Sequence, residues 1–257
     1  MGVVNVTPDS FSDGGHHSDT DSAVAHGLQL VAEGASVLDV GGESTRPGAD
    51  SVPEPVELAR VVPVIEGLRT ALGDTVRLSI DTQKAAVARA ACAAGATLVN
   101  DVSATLASVA AECGAGYVVM HRRGDAKTMQ LAPEYLDVVA EVVEFLRRQA
   151  AASVALGVRE VWVDPGLGFA KTAAHNWRVV AHLDEIVALG YPVLIGASRK
   201  SFLGLALATS DGVAAVAADD RCEASLSVAT WAMLHGVRMV RAHDVRMTVH
   251  AARVVAA

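Results

Sequence analysis

Eight short apolar runs, spread over the whole chain and each followed by a stretch of helical periodicity, limit what this sequence can fold into. They are VVNV (3–6), VLDVG (37–41), VRLSID (76–81), TLVND (97–101), GYVVMH (116–121), VWVDP (161–165), PVLIGAS (192–198) and VRMVRAH (237–243). Four or five near-continuous Val, Ile and Leu residues suit a parallel strand covered on both faces. Helical patterns fill 19–35, 51–72, 82–96, 133–157, 176–190, 220–236 and 244–257, several ending at a glycine such as Gly34, Gly95 or Gly157. Strands alternating with helices make a parallel sheet. Eight repeats in 257 residues match a closed barrel, which typically takes about 250.

An open doubly wound sheet is the competing architecture, and the strand ends decide between the two. In order they carry Asn5, Gly41–Gly42 with Glu43, Asp81, Asn100–Asp101, His121, Asp164, Gly196 with Ser198, and Arg241 with His243. Eight decorated ends can cooperate only if they converge on one mouth, where the active sites of such barrels lie. The sequence therefore predicts an α/β fold, a (β/α)8 barrel of the TIM type, as a single domain over 1–257 with its active site at the C-terminal strand ends. Strand one begins at about residue 3, which leaves nothing ahead of it to cover the barrel floor.

Composition narrows the partners. The net charge is -8, from 21 basic and 29 acidic residues, so the chain has no long-range attraction for nucleic acid or anionic lipid. An anionic ligand must be met by a local basic cluster. Three widely spaced cysteines, Cys92, Cys113 and Cys222, read as buried thiols in a reducing compartment. No apolar run approaches the ~18 residues of a membrane span, and no signal peptide is visible. These features predict a cytoplasmic protein without a membrane partner.

Five constellations can carry chemistry. The stretch NVTPDSFSDGG (5–15) is too polar and long for a plain turn and reads as a lid, or as a surface loop; Phe11 favours the lid, because an apolar ring there gains by packing on a ligand. Asp81 and Asn100 end neighbouring strands, where they either cap the following helices or present an acceptor and an amide to one ring edge. Asp164 follows an apolar strand, so it needs a cationic neighbour such as Lys171 or a paired donor edge on a flat heterocycle. In GASRKSFLG (196–204) basic residues open a helix, where Lys200 can lie along a ring and Ser201 can donate to a carboxylate. Arg241 and His243 alternate around Ala242 on one side of the last strand and suggest a phosphate clamp. No Cys/His zinc set or Ser/His/Asp triad is visible, whereas Mg²⁺, held by the Asn5 oxygen with phosphates and water, is compatible.

Taken in order, MGVVNVTPDSFSDGG, DVGGESTRPGA, SIDT, LVNDVS, MHRRGDAKTMQ, VDPGLGFAKT, IGASRKSFLG and VRAHDV make the chain resemble the dihydropteroate synthase family almost end to end. The resemblance implies a homodimeric barrel that condenses 6-hydroxymethyl-7,8-dihydropterin diphosphate with 4-aminobenzoate, with Mg²⁺, and is a sulfonamide target. It implies that Asp81, Asn100 and Asp164 hold the pterin, with Lys200 against it. It gives diphosphate to Arg241 and His243, with Ala242 between them, and Mg²⁺ to Asn5. Thr45 and Arg46 face the substrates, Phe11 and Pro47 flank the aminobenzoate, and Ser201 meets its carboxylate. The catalytic set is Asp81, Lys200, Arg241 and His243. Two alternatives, a pterin-binding barrel methyltransferase and a non-catalytic pterin-binding paralogue, fit less well, because STRPG and the Lys200–Ser201 pair are present along with Asn5, Arg46 and His243.

Overall fold

The computed structural model describes residues 1–6, 16–46, 48–124, 127–131 and 133–257. Among the described residues eight strands carry the architecture: β1 Gly2–Asn5, β2 Val37–Gly41, β3 Arg77–Asp81, β4 Leu98–Asp101, β5 Gly116–Met120, β6 Val161–Asp164, β7 Leu194–Ile195 and β8 Met239–Val240. Strands β1 to β6 form one parallel sheet in sequence order, and β7 pairs with β8. Two parallel bridges join these pieces, Val163 to Val193 and Gly2 to Ala242. Backbone bonds reinforce both seams, from Val163 N to Pro192 O at 3.0 Å and from Ala242 N to Met1 O at 2.9 Å. The strands thus close into the expected eight-stranded barrel.

The helices sit outside: α1 His16–Ala32, α2 Glu54–Leu72, α3 Ala85–Ala93, α4 Ala107–Cys113, α5 Val138–Ala155, α6 Ala173–Ala181, α7 Leu183–Val187, α8 Ser201–Asp211, α9 Cys222–Leu234 and α10 Val245–Val255. Strand residues alternate between two environments. Outward-facing Val4, Leu38, Val40, Leu78, Ile80, Val99, Val119 and Val163 join the helices in the main core. Inward-facing Val37, Leu98, Val118 and Leu194 fill the bottom of the barrel, with Met1, Trp162 and Met239 against them.

Three expectations need correction. The helical pattern from 133 becomes a helix only at Val138. Asp137 is extended and caps α5, its carboxylate accepting from Val139 N at 3.0 Å and Ala140 N at 3.3 Å. The pattern over 176–190 is split at His182, whose backbone leaves helical geometry (φ -120°, ψ 38°) while its ring bonds the Arg178 carbonyl. The cysteines are half-buried rather than fully buried.

Candidate active site at the barrel mouth

The inward alternation of β2, β3, β4 and the segment after β8 brings four polar side chains together. Arg241 donates from Nε to Asp39 Oδ2 at 2.6 Å and from Nη2 to Asp81 Oδ2 at 3.0 Å. Asn100 Nδ2 donates to the same Asp39 oxygen at 2.9 Å. Register explains the cluster, since Gly41, Asp81 and Asn100 are consecutive neighbours across the sheet. The next residue, Gly42, is the crowded one: a Cβ on it would lie 2.7 Å from Val61 Cγ1. Asp101, one residue on, faces the other way and is structural, accepting from Thr105 N, Leu106 N and Tyr117 Oη.

Asp39 was missed by the motif reading. It is fully buried and holds two proposed substrate ligands at once. A signal existed, because an Asp inside VLDVG lies two residues before Gly41 and so shares its inward face. The carboxylates are not fully satisfied. Among the described residues, Asp39 Oδ1, Ser79 Oγ and Asp81 Oδ1 are buried without a hydrogen-bond partner. Native proteins keep such atoms rare, so a group of them on one interior face marks a place for ligand donors. Burial pushes the Asp81 carboxyl up to about 7; Arg241 opposes this, while Asp39 and Glu57 reinforce it.

The opposite wall comes from the β6–α6 loop and the turn before α8. Asp164 is buried, and its Oδ1 accepts from Gly166 N at 2.7 Å. Burial raises its pKa, against the pull of Lys200. Lys171 does not ion-pair with it. Lys171 Nζ instead meets His121 Nδ1 at 2.9 Å, Gly166 O at 3.0 Å and Phe169 O at 3.1 Å. The strand-end His121 is therefore a wall residue behind this loop, edge-on to Phe145. Gly166 (φ 66°) permits the turn, since a Cβ there would lie 2.0 Å from His121 O. Lys200 Nζ bonds Leu167 O and sits 4.6 Å from the centroid of Phe169. Burial lowers its pKa to about 8, with Asp164 resisting.

Lys200 is positioned by a strained turn. Arg199 has φ 61°, a conformation that costs about 1–3 kcal/mol in a non-glycine residue. Arg199 Nε and Nη2 bind Asp244 at 3.1 and 2.6 Å, its N–H donates to Ser225 Oγ at 3.0 Å, and its carbonyl accepts from Arg221. These four bonds hold the turn. Ser201 is the exposed first residue of α8, and Ala242 is buried in the seam beside Gly2. His243 faces Ser198, and its pKa is lowered to about 4 by burial, then by Arg241 and Arg199; Arg46 contributes too. The second loop thus brings Arg46 toward His243, while Thr45 is half-buried. Asn5 is half-buried at the end of β1, in register with Gly41. Phe11 and Pro47 lie outside the described residues, as does the body of the predicted lid.

The root of the second loop holds a network that the sequence did not signal. Glu57 on α2 is fully buried and accepts from Thr82 Oγ1 at 2.6 Å and from Lys84 Nζ, which also meets Glu43. Arg60 adds a bond to Gly42 O at 2.8 Å. Charges on an amphipathic helix normally face water, so periodicity alone could not single these out.

The model of the pterin binding enzymes matches residues 1–243. The chain belongs to that family, in its dihydropteroate synthase branch. The dihydropteroate synthase of Mycobacterium leprae (strain TN) is 51% identical over 265 residues, covering 100% of this chain and 92% of the relative. The Yersinia pestis dihydropteroate synthase, solved with a sulfonamide drug complex, superposes with TM-score 0.90 at 41% identity over 100% of this chain and 92% of that one. The Xanthomonas albilineans dihydropteroate synthase, solved with 4-aminobenzoic acid, gives 0.90 at 45% identity over 99% and 90%. Members of this branch are transferases, and this chain is an enzyme of that class.

Proposed function

We propose that this chain condenses 6-hydroxymethyl-7,8-dihydropterin diphosphate with 4-aminobenzoate to give 7,8-dihydropteroate and diphosphate, with residues 1–257 acting as one domain. The observation that carries the site assignment is the Asp39–Arg241–Asp81–Asn100 cluster with its buried, unpartnered Asp81 oxygen, inside a chain of this family. The pterin ring offers adjacent N–H donors, which suit Asp81 Oδ1 and Asp164. Asn100 has committed one N–H to Asp39, which leaves its carbonyl oxygen and its second N–H for the ring. Lys200 lies along the face beside Phe169. Thr45, Arg46, Pro47, Phe11 and Ser201 serve the aminobenzoate side.

In the reaction the C–O bond to diphosphate breaks first, and the positive charge spreads over the electron-rich dihydropterin. The neutral aniline nitrogen then forms the C–N bond and loses its proton to solvent. Fixed charges aimed at developing charge contribute the largest kind of catalytic stabilisation. Asp81 and Asp39 favour the cationic ring. Arg241 has Nη1 uncommitted among the described residues and, with His243 and Arg46, receives the leaving diphosphate.

Mg²⁺ fits this site only as a companion of diphosphate. Among the described residues no group of three His, Cys, Asp or Glu side chains could hold a metal. Asn5 offers one neutral oxygen at the mouth, which suits an ion that typically takes one or two protein oxygens plus phosphates and water. Bound there, the ion would neutralise part of the leaving charge. Exposed Leu205 on α8 and Trp231 and Leu234 on α9 support pairing as a homodimer. A cytoplasmic setting accords with three unpaired thiols and, among the described residues, with no helix long and apolar enough to cross a membrane.

One assay tests the reading. Diphosphate release should depend on 4-aminobenzoate and fall on adding a sulfonamide. Release without 4-aminobenzoate dependence, or pterin binding with no release, would overturn it; methyl transfer would establish the methyltransferase alternative.

A further inference from the structure

His243 stands among cations, with Arg241 and Arg199 near it, and burial keeps its ring neutral at pH 7. A neutral imidazole carries one ring proton, so its value as a donor depends on which nitrogen holds it. Ser198, which follows β7, touches His243 twice. The His243 backbone N–H donates to Ser198 Oγ at 3.1 Å, and the same Oγ lies 3.0 Å from Nδ1. One lone pair of the hydroxyl is therefore occupied by the backbone donor. The hydroxyl hydrogen has a single acceptor within reach among the described residues, and that acceptor is Nδ1. With the proton on Nδ1 instead, Oγ would accept twice and its own hydrogen would have no protein acceptor among the described residues.

We propose that Ser198 is a positioning residue that donates to His243 Nδ1 and thereby fixes the proton on Nε2, so that His243 meets the diphosphate as a neutral N–H donor. The catalytic consequence rests on the diphosphate role given to His243 above; the tautomer assignment does not. Both contacts come from one serine, so the backbone bond sets the hydroxyl's direction and the hydroxyl sets the ring.

The test uses full-length protein labelled with ¹⁵N-histidine, with the His243 signals assigned through His243→Gln. At pH 7 the wild type should show Nε2 protonated and Nδ1 bare. Ser198→Ala should mix the two forms and lower kcat about tenfold with little change in pterin KM, short of the about 10²–10³-fold that loss of a whole donor costs. Ser198→Thr keeps the hydroxyl and should restore both readouts, which separates the proposal from a packing defect. A proton on Nδ1 in the wild type, or a tautomer unmoved by Ser198→Ala, overturns the proposal. A tautomer that shifts as expected while kcat stays unchanged supports the Ser198 assignment and overturns the diphosphate role of His243 instead.

Discussion

At the N-terminal ends of its strands the barrel interior holds Val37, Leu98, Val118 and Leu194, packed by Met1, Trp162 and Met239. Further along, the barrel presents Asp39 from mid-strand and Asp81, Asn100, Asp164 and Arg241 at or just past the C-terminal strand ends. The floor also has charges, but they are paired: Arg77 binds Glu160 through Nη1 and Nη2 at 2.6 and 2.8 Å, and Trp162 Nε1 donates to the same carboxylate at 2.6 Å. The buried side-chain atoms without partners are Asp39 Oδ1, Ser79 Oγ and Asp81 Oδ1 among the described residues, and all lie above that floor on inward-facing positions. Burying unpaired polar atoms costs free energy. The floor avoids that cost and contributes stability, whereas the mouth carries it where ligand donors would remove it.

The sharpest way to break this contrast is Arg241→Ala. It strips the one cation that, among the described residues, binds both Asp39 and Asp81. Removing one partner of a buried ion pair typically costs about 3–5 kcal/mol, and losing a preorganised donor costs about 10²–10³-fold in kcat. Both losses should appear, in thermal unfolding and in diphosphate release. An Arg241→Ala protein with unchanged diphosphate affinity would remove Arg241 from the site. At the floor, Leu98→Ala should lower stability by about 2–5 kcal/mol through the cavity it leaves and spare kcat/KM. A comparable loss of activity there would mean that the two regions are not separable.

Asp81→Asn separates the roles in the other direction. The carboxyl is raised to about 7 from 3.8, chiefly by burial, so in the folded state its charged form is the disfavoured one. Its contribution to stability therefore declines as pH rises from about 4 to about 7. Replacing it with a neutral isostere should leave stability at pH 7 unchanged or higher, while kcat/KM falls about 10²-fold, the scale of one lost electrostatic contact. Full turnover in this variant would overturn the assignment.

The comparison also explains what the sequence disclosed. The apolar alternation of the strands and the glycines after the helices made the barrel readable, because they answer to local periodicity. Asp81, Asn100, Asp164, Arg241 and His243 were readable because each breaks an apolar run at a strand end. Asp39 breaks one too, but in mid-strand, where strand-end logic does not look. The Glu57–Lys84–Glu43 network and the left-handed Arg199 turn were not legible at all. Both depend on residues 25 to 45 positions apart meeting across the fold. Nothing in the stretch GASRKSFLG showed that the Arg199 guanidinium turns away from its neighbour Lys200 to bind Asp244.

Acid should expose a further difference. His121 and His243 are held neutral, with pKa lowered to about 2 and about 4, in both cases mainly by burial. The unfolded chain protonates near 6.5, so stability falls as pH drops below 6.5, down to about 4 on account of His243 and further for His121. Asp81 acts oppositely between about 7 and 4, and so partly masks this loss. His121→Phe should flatten the acid limb of a stability-versus-pH curve relative to the wild type. An unchanged acid limb would mean that His121 is not buried neutral.

The smallest effect is expected where charge is most conspicuous. Arg77 and Glu160 form a bidentate pair, but their side chains are 25% and 42% exposed, so solvent screens the attraction. Exposed pairs contribute about 0–1 kcal/mol, and for a chain of this size 1 kcal/mol is about 2–4 °C in Tm. Arg77→Met, which keeps most of the stem, should therefore move Tm by no more than a few degrees. The shift should shrink further in high salt, and KM for both substrates should not change. Arg241 and Arg77 enter the barrel from opposite ends, each holding carboxylate through two nitrogens. If Arg77→Met cost as much as Arg241→Ala, burial would not be what sets the mouth apart, and the contrast between the two ends would fail.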